Sequence, residues 1–112
     1  MIIALPLDGD TLSSHFGHCH AFALAHVQAD TKKIEKIEIV TAPPHEPGVL
    51  PQWLANKGAH AVICGGIGPR AVDLLSQNGI KVVMGAPVDT PDALVQAFLN
   101  GTLQTGANSC DH

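Results

Sequence analysis

Three histidines and a cysteine fall within six residues near the start of the chain, at His15, His18, Cys19 and His20. Imidazole nitrogens and thiolates are the ligands that hold zinc, copper and iron in proteins. The spacing matches no standard zinc finger, and a tetrahedral zinc site needs four donors in fixed geometry. We predict that this histidine–cysteine segment (residues 15–20) ligates a metal. The alternative is a surface turn with solvated imidazoles and a buried Cys19.

Further candidate donors lie on two other segments. His45 belongs to the loop 41–49, whose three prolines lower the entropy cost of holding one shape and could present the imidazole to a ligand. Cys110 and His112 form a Cys-x-His pair at the C-terminus that could close over a metal. The alternatives are a turn histidine without a role and a frayed terminus. The third cysteine, Cys64, lies in an apolar run and is interpreted as a small core residue.

A glycine-rich turn, Gly65-Gly66-Ile67-Gly68, precedes Pro69. Proline is favoured at the first position of a helix, and the free amides of a helix N-terminus attract anions. The pattern is neither a Walker loop nor the dinucleotide-binding fingerprint, so it does not indicate a nucleotide site. We predict either a backbone cradle for an anionic ligand or a tight strand-to-helix turn.

The elements that must position these residues follow from apolar runs and helical spacing. The predicted elements are a strand at 2–7, a hairpin of 21–28 with 34–40, a helix at 50–57, a strand at 61–64, a helix at 69–78, a strand at 80–84 and a helix at 91–100. This order predicts an α/β, ribonuclease-H-like fold: a mixed sheet of about five strands with helices on both faces. We expect one domain over residues 1–101 and a mobile tail over 102–112. Ligands of open sheets bind outside the carboxyl ends of parallel strands, where the loop 8–19 and the turn 65–68 are expected.

Composition excludes several classes of protein. The 112 residues are 46% hydrophobic and 14% charged, which is unlike a disordered chain. A formal net charge of −4 argues against a nucleic-acid partner or a polybasic membrane anchor. Three scattered cysteines form no disulfide framework, and no apolar run resembles a signal peptide or a membrane span. We expect a cytoplasmic protein with no nucleic-acid or membrane partner.

Two enzymatic alternatives find little support in the sequence. A two-magnesium nuclease needs clustered carboxylates, for which the candidates are Asp8, Asp10, Glu38 and Asp73. It also needs cationic side chains for the phosphate backbone, and the sequence around Asp8 has histidines but no lysine or arginine. A hydrolase nucleophile would need a strand–elbow–helix context, which the serines and cysteine beside the histidines lack. We therefore expect a protein that is not an enzyme.

The order and spacing of several short motifs, which together run through most of the chain, carry a family resemblance. The motifs are Ser14-His15-Phe16-Gly17 with Phe22, Pro43-Pro44-His45-Glu46-Pro47-Gly48, Leu50-Pro51-Gln52-Trp53-Leu54, Gly65-Gly66-Ile67-Gly68, Gly79-Ile80, Gly85-Ala86, Asn100-Gly101-Thr102-Leu103 and Cys110-Asp111-His112. The chain resembles the dinitrogenase iron–molybdenum cofactor biosynthesis family, which includes NifX-like proteins and the C-terminal domain of NifB-type proteins.

The resemblance implies a ribonuclease-H-like fold without nuclease activity. It also implies binding of metal–sulfur cofactors or their precursors, which are passed between biosynthetic enzymes; some relatives carry a molybdenum–copper sulfide cluster. The cofactor-binding positions that it implies are His15, Phe16, Gly17, His45 and the turn Gly65, Gly66, Ile67 and Gly68. The stretch His18-Cys19-His20 goes beyond the plain His-Phe-Gly pattern, which indicates either different metal binding or a substitution without consequence.

These observations predict a non-catalytic carrier of a metal–sulfur cluster. The cluster would be an iron–molybdenum cofactor precursor or a related iron–sulfur or molybdenum–copper sulfide cluster. The expected partners are cluster-assembly or cluster-receiving proteins, and the chain would be a monomer or a weak dimer. The alternatives are a binding module for a simple copper or zinc ion and a metal-free protein–protein adaptor.

Overall fold

The computed structural model describes residues 1–16, 19–28, 30–43 and 48–106. The strands are β1 (Ile2–Asp8), β2 (Thr11–Leu12), β3 (Ala21–Gln28), β4 (Lys33–Thr41), β5 (Ala61–Ile63) and β6 (Lys81–Val83). The helices are α1 (Val49–Asn56), α2 (Pro69–Gln77) and α3 (Pro91–Asn100). Prolines begin α2 and α3, where the missing amide hydrogen costs nothing.

The strands form one mixed sheet in the order β4-β3-β1-β5-β6, with β2 paired to β1. The neighbours β4, β3 and β1 are antiparallel, whereas β1, β5 and β6 run parallel. The predicted hairpin of 21–28 with 34–40 is confirmed, as are the βαβ unit and the ribonuclease-H-like arrangement. The carboxyl ends of β1, β5 and β6 consequently lie at one end of the sheet.

Two hydrophobic clusters cover the two faces of the sheet. The first packs α1 and α2 against Phe22 and Val62, through buried residues that include Leu54 and Leu75. The second packs α3 against the alternate residues of β1 and β5, and it includes the fully buried Val95. The prediction of helices on both faces is therefore confirmed.

The structure departs from the sequence prediction in local detail. The short strand β2 is absent from the sequence prediction, because two residues are too few to show a periodic pattern. Its two residues pair with Leu7 and Asp8 across a tight turn. Strand and helix ends differ by one residue at several places, where ends are least well determined by sequence. The hairpin contains a register shift between His26 and Val27, so Ile34, Ile37 and Ile39 share one face.

Residues 102–106, the start of the predicted tail, lie against the domain. The amide of Thr102 donates to the carbonyl of Ala97, and Leu103 packs on the second cluster. The amide of Gly106 donates to the carbonyl of Gly85 at 2.6 Å. Residues 107–112 lie outside the described residues, and the mobility of the segment 102–112 stays a prediction.

Across the described ranges, no helix has both the length and the apolar character that a membrane crossing requires.

Candidate functional site

The segment Ser13–Phe16 runs parallel to the start of the glycine turn, just beyond the carboxyl end of β5. His15 and Gly66 form a parallel bridge. The amide of Gly66 donates to the carbonyl of Ser14, and the amide of Phe16 donates to the carbonyl of Gly66, both at 2.7 Å. The expectation that the His15 loop and the turn 65–68 meet at this end of the sheet is therefore met by direct backbone pairing.

A buried hydroxyl shapes the backbone around His15. Ser13 is 5% exposed, and its Oγ donates to the carbonyl of His15 at 3.1 Å. The same oxygen accepts from the amide of His15 at 3.4 Å. The amide of Ser13 donates to the carbonyl of Pro6 in β1. Because the backbone is held from both sides, the exposed imidazole of His15 projects from a fixed position.

Aromatic packing anchors the same segment to the core. The ring of Phe16 meets the ring of Phe22 edge-to-face, with centroids 5.9 Å apart, and Phe22 lies 5.5 Å from the ring of Trp53. Cys19 is 1% exposed and belongs to this cluster, whereas His15 and His20 are exposed. Within the histidine–cysteine segment, the described cysteine thus lies in the core and the two described histidines lie at the surface. The burial of Cys19 agrees with the alternative interpretation, a surface turn with a buried cysteine.

The glycine turn fits its neighbours closely. A Cβ added to Gly65 would lie 3.1 Å from the carbonyl oxygen of Ser14, which is tighter than ordinary contact, so glycine permits the close approach. Ile67 is fully buried and anchors the turn in the first cluster. The amide of Gly66 is bound to Ser14 and is therefore not available to an anion. The first turn of α2, which has Gly68 as its N-cap, carries the amides of Arg70 and Ala71, which have no partner within the helix.

Arg70 is a candidate that sequence reasoning missed. It is the only arginine of the chain, and it lies exposed in the first turn of α2, two residues after Gly68. A guanidinium beside a helix N-terminus strengthens the attraction for an anion. Its place directly after the proline that begins the helix was the available signal.

A third segment extends this backbone network to the C-terminal side. The amide of Gly85 donates to the carbonyl of Gly65 at 2.7 Å, and the carbonyl of Gly85 accepts from Gly106. Hydrogen bonds therefore link four segments in order: Ser14–Phe16, Gly65–Gly66, Gly85 and Gly106. Gly106, the last described residue, is therefore linked through Gly85 to the glycine turn of the candidate site. The predicted C-terminal donors, Cys110 and His112, follow it in the sequence.

Five of the predicted site residues lie outside the described residues: Gly17, His18, His45, Cys110 and His112. Within the described ranges, no three histidine, cysteine, aspartate or glutamate side chains come together in a way that could hold a metal ion. The metal-ligand assignments of His15, His18, Cys19, His20, His45, Cys110 and His112 stay predictions. What the structure brings together is His15, Phe16 and the turn 65–68.

Comparison with known proteins identifies the family. A family model described as dinitrogenase iron–molybdenum cofactor matches residues 1–101. The chain belongs to the dinitrogenase iron–molybdenum cofactor family. The chain is also 36% identical over 107 residues to the uncharacterised protein MJ0580 of Methanocaldococcus jannaschii, covering 93% of this chain and 90% of that protein.

Solved structures share the architecture over all or nearly all of the chain. The crystal structure of PH0822 matches with a TM-score of 0.89 and 29% identity, covering 100% of both chains. The apo form of the orange protein from Desulfovibrio gigas matches with a TM-score of 0.72 and 29% identity, covering 96% of this chain and 93% of that one. The family resemblance and the fold predicted from the sequence are both confirmed, and the family name indicates an association with iron–molybdenum cofactor biosynthesis.

Proposed function

We propose that this protein binds a metal–sulfur cluster without transforming it and delivers the cluster to a partner. The cluster is the cargo, and its class is an iron–molybdenum cofactor precursor or a related iron–sulfur or molybdenum–copper sulfide. The observation that supports the proposal is the pairing of His15 with Gly66, which holds the backbone of an exposed histidine against the turn that leads into α2.

The charges at the N-terminus of α2 suit such a cargo. Metal–sulfide clusters are bulky and anionic, and the first turn of α2 offers amides together with the guanidinium of Arg70. The imidazole of His15 can ligate one exposed metal ion of the cluster. We propose that His20 and the donors outside the described residues, His18, His45, Cys110 and His112, complete the contacts.

A carrier must release what it binds, and the described part of the site fits that requirement. The residues His15 and His20 are exposed, so a partner can reach a cargo that is bound to them. We propose that the glycines of the turn 65–68, and Gly17 by its place in the His-Phe-Gly motif, allow the cluster to come close to the backbone. Cluster-assembly and cluster-receiving proteins are the proposed partners.

Loading experiments test the role of His15. Protein purified without oxygen is incubated with iron and sulfide, and separately with tetrathiomolybdate and copper(I), and metal and sulfide per chain are measured after desalting. We expect His15→Ala to lower affinity for the cluster by at least roughly tenfold, because losing even a group that only supports a ligand lowers metal affinity about 10–100-fold. The visible spectrum separates a coloured cluster from a colourless zinc site.

The matched control is His60→Asn. His60 is exposed, but it precedes β5 at the opposite end of the sheet, where its Nδ1 accepts from the amide of Ile2. Asparagine retains an acceptor, so this variant should load as the parent does. Equal loading of His15→Ala and the parent would contradict the role of His15. Uptake of copper or zinc ions alone would favour the simple-ion module, and no uptake at all would favour the adaptor.

A further inference from the structure

A groove lies on the α3 face of the sheet, near the carboxyl end of β1. It is an open cavity of about 290 Å³. Its lining residues are Leu7, Gly9, Asp10, Ile37, Ile39, Pro91 and Asp92. The floor is aliphatic, and the two carboxylates belong to the β1–β2 turn and to the first turn of α3.

The sheet itself explains why the groove is apolar. On this face β3 places Ala23 opposite Ile39 and Ala25 opposite Ile37, and these small side chains fill little of the space beside the isoleucines. Helix α3 begins at Pro91, so its apolar side chains cover only part of the face. Ile39 is therefore 59% exposed. Packing of an aliphatic side chain against Ile39 would be favourable, because it would remove apolar surface from water.

The charge around the groove has one sign. The lysines of β4, Lys33 and Lys36, pair with Gln28 and His26 and so lie on the opposite face of the sheet from Ile37 and Ile39. The segments that form the turn and the start of α3 instead contribute exposed aspartates, and the amide of Leu12 donates to the carbonyl of Asp89, which joins these segments. The exposed aspartates are Asp8, Asp10, Asp89 and Asp92. This end of the α3 face is therefore negative, and no lining residue is cationic.

We propose that this acidic groove (the seven lining residues) docks a partner protein through an aliphatic side chain flanked by lysine or arginine. The aliphatic group would cover Ile37 and Ile39, and the cations would face Asp10 and Asp92. A second copy of the chain fits less well, because it would bring its own carboxylates to the same place.

The groove adjoins the candidate site along the chain. The connection from β1 to β3 contributes Gly9 and Asp10 to the groove and then Ser13–Phe16 to the pairing with Gly66. Both therefore lie toward the carboxyl end of β1, the groove on the α3 face of the sheet and Phe16 in the cluster on the other face. The assignment of this partner as the recipient of the cluster rests on the proposed function, whereas the docking surface does not.

Peptide titrations followed by methyl NMR test the proposal on the full chain. The probes are three synthetic peptides of equal length, in which Leu-Ile is flanked by lysines, Leu-Ile is flanked by glutamates, or Ser-Ser is flanked by lysines. We expect only the first to shift the methyl signals of Ile37 and Ile39, with binding that weakens as salt rises. Ile39→Thr and the double variant Asp10→Asn with Asp92→Asn should each weaken binding about fivefold, within the range of exposed charge and contact effects.

Val88→Thr is the matched control, because Val88 is 65% exposed but does not line the groove. Equal responses to the lysine- and glutamate-flanked peptides, or unchanged binding by Ile39→Thr, would overturn the proposal. Self-association that Ile39→Thr abolishes would also overturn it, by making a second copy the occupant. Cluster loading should be unaffected by the groove variants, so failure of loading in the parent counts against the proposed function and leaves the groove test intact.

Discussion

Phe22→Ala is expected to lower the free energy of unfolding by about 3–5 kcal/mol, the usual cost of removing a buried aromatic ring. Phe22 is fully buried in β3, between Phe16 of the candidate site and Trp53 of α1. Its loss would leave a cavity that backbone hydrogen bonds on both sides keep from collapsing. At about 4 °C per kcal/mol for a chain of this length, the melting temperature should fall by roughly 10–20 °C.

The control for this prediction is Phe98→Ala on α3. Phe98 is only half-buried against the second cluster, so the same substitution should cost roughly half as much or less. Trp53 is the only tryptophan, and its fluorescence should shift in Phe22→Ala but not in Phe98→Ala. Equal losses of stability in the two variants, or unchanged Trp53 emission in Phe22→Ala, would contradict the central place of Phe22 beneath the site.

Gly85→Ala is expected to detach the C-terminal segment from the site. Gly85 has φ +77, a conformation in which alanine is strained by about 1–2 kcal/mol. A Cβ there would lie 2.1 Å from the carbonyl oxygen of Gly106, so the backbone of Gly106 must move and its hydrogen bond to Gly85 is lost. That loss adds about 1 kcal/mol to the cost in the free energy of unfolding.

Gly79→Ala separates the two effects. Gly79 has φ +75, but a Cβ there meets nothing within 4 Å, so its replacement costs only the conformational strain. Hydrogen exchange should show faster exchange at the Gly106 amide in Gly85→Ala and no change in Gly79→Ala. In a chain ending at Gln104, the two substitutions should cost the same, because the clash partner is absent. A larger cost of Gly85→Ala in that shortened chain would contradict the contact with Gly106.

The fold could be predicted from the sequence because its signals are local. Continuous apolar residues mark β1, and prolines at 69 and 91 mark the beginnings of α2 and α3. Short glycine and histidine motifs, taken in order, also indicated the family. The meeting of His15 with the turn 65–68 followed from the rule that loops at the carboxyl ends of parallel strands converge.

The remaining details depend on contacts distant in sequence. No spacing indicates that the Gly66 amide is bound to Ser14, or that Gly106 returns to Gly85. The burial of Cys19 reflects its place against the aromatic cluster, which its neighbours His18 and His20 do not reveal. The groove likewise arises from the register of β3 with β4, which places alanines opposite isoleucines.

Carriage of a metal–sulfur cluster is tested most directly by the metal and sulfide content, with a visible spectrum, of untagged protein purified without oxygen. We predict a coloured protein with iron or molybdenum and acid-labile sulfide at near-stoichiometric amounts. Colourless protein that contains neither and takes up no cluster on reconstitution would contradict cluster carriage, and would make the His15–Gly66 pairing a structural junction of the fold.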